Sequence, residues 1–311
     1  MIITVTMNPA IDKTIEINQL VQGGLNRIQH VEIDAGGKGI NVSKTICALG
    51  GETIATGFNG GHSGRIIEEA LKQRGIQSDF VDVHQETRTN TKVHEKDGPI
   101  TELNEQGFCV SEAHKQSLLD KIKKYANPQA LFILAGSIPK GISPSIYAEI
   151  IAIIKENNGK VIVDADGELF TESLQARPHV IKPNREELAE YAGIKGEVSQ
   201  DELVTTAQEF LNNGVELVVI SMGKDGALFL SNEFQYHCEG LKVKVHSTVG
   251  AGDAMVSALA YAMHQGYDFD EMVCLAMATS AGAVTTLGTK PPTKEVVETL
   301  KKQVKIRKIG E

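Results

Sequence analysis

Apolar and polar positions along the chain follow two different rhythms. In the second half, short apolar runs alternate with longer amphipathic stretches. Residues 130–135 predict a buried strand, followed by Gly136-Ser137-Ile138-Pro139 and a helix over 143–157. Residues 161–163 predict a strand ending at Asp164. Val180-Ile181-Lys182 leads into Pro183-Asn184-Arg185-Glu186-Glu187, 201–212 is helical, and 217–220 is a strand ending in Ser221-Met222-Gly223-Lys224-Asp225-Gly226. Repeated strand-then-helix units predict an α/β fold with a mostly parallel sheet and helices on both faces. In the first half, residues 2–7 and 54–58 predict strands. Residues 42–49, closed by Gly50-Gly51, and 64–75 predict helices. Between them the rhythm breaks. Residues 13–33 alternate and carry Gly23-Gly24. Residues 87–94 alternate strictly, and so do 101–108 after a turn at Asp97-Gly98. Adjacent strands with no helix between them predict a small separate sheet covering a site, with lid strands from about 12–35 and 87–109 in a single domain spanning 1–311.

Two glycine-rich turns carry candidate chemistry. Residues 241–245 alternate like a half-buried strand, and 254–265 predict a helix with Gly266 as its C-cap. Between them lies Val249-Gly250-Ala251-Gly252-Asp253. Glycines here leave backbone N–H groups uncovered at a helix N-terminus, a place that holds an anion. A carboxylate in such a turn would repel a bound phosphate. Asp253 makes sense there as a base that takes a proton from a hydroxyl during phosphoryl transfer. The alternative is a plain N-cap. A dinucleotide fingerprint fails because Met255 occupies the third glycine position.

The second turn is Ala35-Gly36-Gly37-Lys38-Gly39-Ile40-Asn41-Val42-Ser43, where Lys38 offers charge and Asn41 both a donor and an acceptor. Its spacing is not that of a Walker A loop, and a plain glycine turn with a solvated lysine remains open. Asn8-Pro9-Ala10-Ile11-Asp12 predicts a turn that sets Asp12 just past a strand's carboxyl end, where open α/β sheets bind ligands. Arg88 either reaches into the site or is a solvated edge-strand charge.

Composition narrows the function classes. A net charge of −9 over 311 residues argues against nucleic acid or an anionic membrane as the main partner. Cys47, Cys109, Cys238 and Cys274 lack C-x-x-C spacing and read as reduced thiols. No apolar run reaches the ~18 residues of a membrane span, and no signal-peptide pattern opens the chain, so a cytoplasmic protein is expected. The basic stretch over 301–308 reads as a solvated helix face and tail.

Taken together, the motifs resemble those of the ribokinase/phosphofructokinase-B (PfkB) family of carbohydrate kinases. Gly36-Gly37-Lys38-Gly39-Ile40-Asn41-Val42-Ser43 resembles one family signature and Thr248-Val249-Gly250-Ala251-Gly252-Asp253 the other. Asn184-Arg185-Glu186-Glu187 resembles the N-x-x-E metal motif. Asn8-Pro9-Ala10-Ile11-Asp12, Gly136-Ser137-Ile138-Pro139 and Gly223-Lys224-Asp225-Gly226 match in the right order, so the resemblance spans essentially the whole chain. Ser247 departs from the Asp or Asn more usual there and is expected to brace the loop.

The resemblance implies a ribokinase-like fold with a β-sheet lid, ATP and Mg²⁺, and a homodimer formed through the lids. Gly24-Leu25-Asn26-Arg27 and Lys38 fit the branch that phosphorylates sugar phosphates. Fructose 1-phosphate is the expected substrate, with tagatose 6-phosphate and fructose 6-phosphate as alternatives; a dehydrogenase and a non-catalytic nucleotide-binding regulator are the rivals of other classes. It also implies residue roles. Asp253 is the base, and the N–H groups of Gly250, Ala251, Gly252 and Asp253 hold the transferring group. Asp12, Gly36, Gly37, Asn41 and Ser137 bind the sugar, while Lys38, Arg88 and Arg27 clamp its phosphate. Lys182, Asn184, Ser221, Gly223, Gly226 and Thr248 line the nucleotide, with an apolar adenine slot around 277–288. Asn184 and Glu187 hold the magnesium, joined by Asp164 unless that carboxylate is only a turn residue.

Overall fold

The computed structural model describes residues 1–96, 98–286 and 288–309. The chain opens with β1 (Ile2–Thr6), β2 (Ala10–Ile17) and β3 (His30–Gly36), then α1 (Lys38–Ala48), β4 (Thr53–Asn59), α2 (Gly61–Gln73) and β5 (Gln77–Asp82). After these come β6 (Arg88–Glu95), β7 (Ile100–Asn104), α3 (Glu112–Tyr125), β8 (Leu131–Ala135), α4 (Ile146–Glu156), β9 (Lys160–Asp164), α5 (Gly167–Gln175) and β10 (Val180–Ile181). The remainder is α6 (Arg185–Tyr191), α7 (Gln200–Asn212), β11 (Leu217–Ser221), β12 (Ala227–Leu230), β13 (Gln235–Cys238), α8 (Ala251–Gln265), α9 (Phe269–Ala283), α10 (Lys294–Lys301) and β14 (Ile306–Lys308).

Among the described residues ten strands form the main sheet, in the order β14-β13-β12-β11-β10-β9-β8-β1-β4-β5. From β5 to β11 every neighbouring pair is parallel, and β12, β13 and β14 add on antiparallel. Near-continuous apolar strands fit this arrangement, because helices cover both faces. One face packs α3, α4, α5, α6 and α7 through residues such as Phe132, Tyr147, Ile150 and Phe210. The other packs α1, α8, α9 and α10 through Val42, Ile46, Phe229, Val256 and Val273. From β1 the chain moves outward to β4 and β5, then restarts at β8 on the other side of β1. The order therefore reverses between β1 and β8, and the carboxyl ends of these two strands flank an open crevice.

Four strands form a second sheet, ordered β3-β2-β6-β7. The register separates its two faces. Asp12 pairs with Asp34 and Asn90, and Asn90 with Asn104; Thr14 pairs with Glu32 and Lys92, and Lys92 with Glu102. Those polar rows share one face. Ile15, Val31 and Val93 form a row of the other face, and Lys13, Ile33, Thr91 and Leu103 form the next.

Local readings differ from the structure at several places. Residues 241–245 form no strand: Leu241 and Val243 tuck against the α8–α9 side of the core, but β14 already occupies the free edge of β13. The alternation was real, and what was missing was a ladder partner. Asp12 is not in a turn beyond β1; the connection is only Met7-Asn8-Pro9, and Asp12 is the third residue of β2. Residues 301–308 are the end of α10 and an edge strand; the stretch is mostly exposed, as read, but its tail pairs with β13. The sequence reading passed over α3, which Ser111 caps by accepting from the His114 N–H at 3.3 Å, with Leu118, Leu119 and Ile122 as its buried stripe. It also passed over α5, β12 and β13. The turn expected at Asp97-Gly98 and the slot expected at 277–288 include Asp97 and Leu287, which lie outside the described residues. Among the described residues no helix is long and apolar enough to cross a membrane.

Candidate active site

At the reversal point, β1 ends at Thr6 and β8 leads into Gly136. A cavity of about 330 Å³ opens there between the carboxyl ends of the sheet and the polar face of the small sheet. Its floor includes Thr6, Asn8, Gly136, Ser137 and Asp166; Gly37, Lys38 and Asn41 come from the start of α1, and Val249, Gly250 and Asp253 from the start of α8. The small sheet closes it with Asp12, Arg88, Asn90, Lys92, Glu102 and Asn104.

Both helix starts depend on glycine. Gly37 has φ 109, and a Cβ there would come within 2.8 Å of Thr6 and 3.2 Å of Pro9. Gly250 is left-handed, φ 83, and serves as N-cap of α8 without any side-chain cap. The first N–H groups of α8 therefore lack a helical acceptor; that of Ala251 meets the Thr248 carbonyl only at 3.4 Å. The loop before this turn is pinned by the His246 N–H to the Val284 carbonyl at 2.7 Å and by Ser247 Oγ, which accepts from the Val249 N–H at 3.2 Å. Thr289 lies 3.5 Å from where a Gly250 side chain would begin.

Asp253 is the third residue of α8 and 7% exposed. Its carboxylate accepts from Asn41 Nδ2 at 2.8 Å, across two different helices, rather than capping its own first turn. Burial, followed by the charge of Asp164, pushes its carboxyl up to about 6. Asp164 ends β9 and is 1% exposed, with Oδ1 at 3.4 Å from both Lys38 Nζ and Lys182 Nζ. Burial raises the Asp164 carboxyl, yet the two lysines bring it below the usual carboxylate range. Lys38 is in turn held above its ordinary value, chiefly by Asp164. Lys182 Nζ lies 3.4 Å from the position of a Gly252 Cβ, so a second cation stands beside the exposed N–H groups of α8.

Asn184 and Glu187 make a reciprocal cap at the start of α6. Asn184 Oδ1 accepts from the Glu187 N–H at 2.7 Å, and Glu187 Oε2 from the Asn184 N–H at 2.8 Å. This cap leaves the second oxygen of Glu187 available. Its carboxyl is raised by burial, with Asp164 adding to the effect. Ser221 bridges to Asn184 at the neighbouring strand end. Gly223 and Gly226 flank a single 3-10 turn, and Gly226, φ 96, sits where a side chain would strike the Cys238 carbonyl. Thr248 is exposed at the mouth of the α8 turn. Gly36 lies against the Asp12 carboxylate, leaving no room for a side chain.

Of the expected sugar-side residues, Asp12, Gly37, Lys38, Asn41, Arg88 and Ser137 border the cavity together with Gly250 and Asp253. Arg27 does not: it lies in the exposed link between β2 and β3. Ala251, Gly252, Lys182, Asn184, Glu187, Ser221, Gly223, Gly226 and Thr248 lie outside this cavity, along the carboxyl ends of β10 and β11 and the α8 turn. The Arg88 guanidinium is already engaged, since its terminal nitrogens donate to the Glu105 and Asn8 carbonyls at 3.1 Å each. Sequence reading missed Thr6, Asn8, Asn90, Lys92, Glu102, Asn104, Asp166 and Thr289. Strand alternation starting from Arg88 carried a signal for two of them, Asn90 and Lys92.

Six buried polar atoms at this site have no partner: Thr6 Oγ1, Asn8 Oδ1, Asn41 Oδ1, Arg88 Nε, Asn90 Oδ1 and Asp164 Oδ2. All but Asp164 border the cavity. Native proteins pair nearly all such atoms, so a cluster of orphans around one cavity is the signature of a polar ligand's contacts. Among the described residues no three His, Cys, Asp or Glu side chains gather as a metal cage. The free oxygens of Glu187 and Asp164 suit a hydrated Mg²⁺, which keeps most of its waters.

Comparison with known proteins adds the following. The pfkB family carbohydrate kinase profile matches residues 5–295. A 1-phosphofructokinase of Vibrio cholerae is 34% identical over 98% of this chain and 96% of its own. A D-tagatose-1-phosphate kinase of Bacillus licheniformis is 35% identical over 92% of each. The crystal structure of phosphofructokinase-2 from Escherichia coli in complex with fructose-6-phosphate superposes with a TM-score of 0.90 at 26% identity, covering 97% of this chain and 98% of that one.

Proposed function

The chain belongs to the pfkB family of carbohydrate kinases, and from that premise we propose that it transfers the γ-phosphoryl group of ATP to a ketohexose phosphate, fructose 1-phosphate foremost, yielding fructose 1,6-bisphosphate and ADP. The observation that carries this reading is the buried Asp253 carboxylate, raised to about 6, beside the uncapped N-terminus of α8 and beneath a cavity lined by unpartnered polar atoms. At neutral pH the carboxylate is ionised and positioned to accept a proton.

In the proposed reaction, Asp253 takes the proton of the sugar C6 hydroxyl as that oxygen bonds to the γ-phosphorus. The bond from the γ-phosphorus to the β-γ bridging oxygen breaks, and ADP departs. The N–H groups of Gly250, Ala251, Gly252 and Asp253 stabilise the charge on the transferring group, where one preorganised donor contributes about 3 kcal/mol. Lys182 and Lys38 add fixed positive charge that Asp164 holds in place. Asn41 keeps Asp253 oriented, and Asp12, Gly36, Gly37 and Ser137 bind the sugar. Ser221, Gly223, Gly226 and Thr248 accept the nucleotide, with Asn184. Glu187 and Asp164 would hold a hydrated Mg²⁺ bound with ATP, which would supply charge neutralisation for the phosphates.

A homodimer through the small sheet is part of the same proposal. The outward face of that sheet leaves Val31 42%, Ile33 58% and Leu103 59% exposed in adjacent rows, an apolar patch that a second copy would cover.

The deciding experiment is ADP release coupled to NADH oxidation, with fructose 1-phosphate, fructose 6-phosphate, tagatose 6-phosphate and tagatose 1-phosphate as acceptors. Fructose 1-phosphate is expected to give the highest kcat/KM. Tagatose 1-phosphate is the second reading, because the Bacillus licheniformis relative is as similar as the 1-phosphofructokinases. ADP release indifferent to all four sugars refutes the proposal.

A further inference from the structure

Resting on that reading, we propose that Lys92 recognises the phosphate the sugar already carries, and so sets the preference for phosphosugars over free sugars. Three cations border the cavity: Lys38, Arg88 and Lys92. Lys38 is paired with Asp164 at 3.4 Å and belongs to the reacting end, within the field of Asp253. The terminal nitrogens of Arg88 are held by two backbone carbonyls. Among the described residues Lys92 has no hydrogen bond or ion pair of its own. Its cross-strand neighbour Glu102 accepts instead from Asn104 Nδ2 at 3.4 Å, and its charge registers on Asp12.

Position supports the same assignment. Arg88, Asn90 and Lys92 alternate along β6 on its cavity face, so Lys92 stands about 13 Å along the strand from Arg88 by backbone rise. It borders both the main cavity and a smaller recess beside it, shared with Asp12, Thr14, Asp34 and Thr289. Two carboxylates around that recess are committed elsewhere, Asp34 to Lys44 at 3.2 Å and Glu32 to Lys290. The third, Asp12, accepts from Asn90 Nδ2 at 3.4 Å and feels the charge of Lys92 without pairing to it. Arg88 Nε is a buried donor without an acceptor on the same strand. A dianionic phosphate lying over Asn90 supplies acceptors to Lys92 from one side and to Arg88 Nε from the other. In a ketohexose phosphate the phosphate and the reacting hydroxyl occupy opposite ends of the sugar. Lys92 on the lid and Asp253 at the head of α8 come from opposite walls of the cavity.

The test compares wild type with Lys92→Ala and Lys92→Arg, using fructose 1-phosphate and free fructose, with melting curves to establish that each variant folds. A charge-assisted contact of this kind is worth roughly 10- to 100-fold in affinity. Lys92→Ala is expected to raise KM for fructose 1-phosphate by that factor while kcat and the KM for ATP stay within about twofold. Lys92→Arg is expected to recover most of the loss, and the discrimination against free fructose should shrink with Lys92→Ala. An unchanged KM for fructose 1-phosphate in folded Lys92→Ala overturns the inference alone. A fall in kcat with KM unchanged also overturns it, because it puts Lys92 at the reacting end. Wild-type protein that neither binds nor phosphorylates fructose 1-phosphate overturns the kinase reading and this inference together.

Discussion

Replacing Asp253 by Asn should slow turnover by orders of magnitude and make the protein more stable, and the second effect is the sharper test. The carboxyl is buried and raised from its ordinary value to about 6, so the fold favours its protonated form. A group with a folded pKa above its unfolded one contributes stability that is full below the unfolded value, near 4, and is lost as the pH rises through 6. At pH 7.5 the ionised carboxylate costs the folded state about 3 kcal/mol, from 1.36 kcal/mol per pKa unit. Asparagine is neutral throughout and its Oδ1 still accepts from Asn41, so the substitution relieves that cost without breaking the contact. For 311 residues unfolding with about 2.1 cal/mol/K each, the gain is about 5 °C in Tm. Scanning fluorimetry at pH 7.5, 6 and 5 should show it shrinking on acidification, while a coupled assay shows kcat reduced ~10²–10⁴-fold. A variant no more stable than wild type at pH 7.5, or a gain that persists undiminished at pH 5, refutes the buried-charge argument. Turnover within tenfold of wild type refutes the role of Asp253 as base.

Three further outcomes follow from the geometry. The acid limb of log kcat/KM should turn near pH 6, and Asn41→Ala should move it upward by up to about one unit, because the Asn41 bond favours the ionised carboxylate. Substrate phosphates ionise in the same range, so the difference between the two proteins is the quantity to read; coincident profiles would be the contrary result. Leu103→Glu should convert a dimer to monomers in sedimentation velocity with the fold intact, and a wild type that sediments as a monomer would contradict the proposed interface. Glu187→Gln keeps the cap on α6 through its amide oxygen but removes charge, so half-maximal activity should require ~10-fold more Mg²⁺; an unchanged requirement excludes Glu187 from holding the metal.

The parallel core and both glycine turns were legible in the sequence because each rests on local information. Buried strands announce themselves by apolar runs and helix starts by glycine, and Asp253 stood out because a carboxylate is chemically incongruous in an anion-binding turn. The alternation in 87–94 and 101–108 was likewise enough to expect a separate sheet. Elsewhere the same local signals misled. Residues 241–245 alternate as a strand does, but pairing depends on a free neighbour, and β14 had taken the edge. For Arg27 the motif says nothing of placement: it stands exposed in the link between two lid strands, away from this chain's own cavity.

Local patterns along the chain thus carry the list of elements and the residue types able to move a phosphoryl group. Which of those groups meet depends on how the elements pack. Asn41 reaches Asp253 from 212 positions away, and Lys38 and Lys182 share Asp164, because the strand order reverses between β1 and β8 and brings distant strand ends to one crevice. Protonation is decided there as well. A carboxyl's pKa is set by the dielectric and the charges around it, and neither exists until the chain is packed.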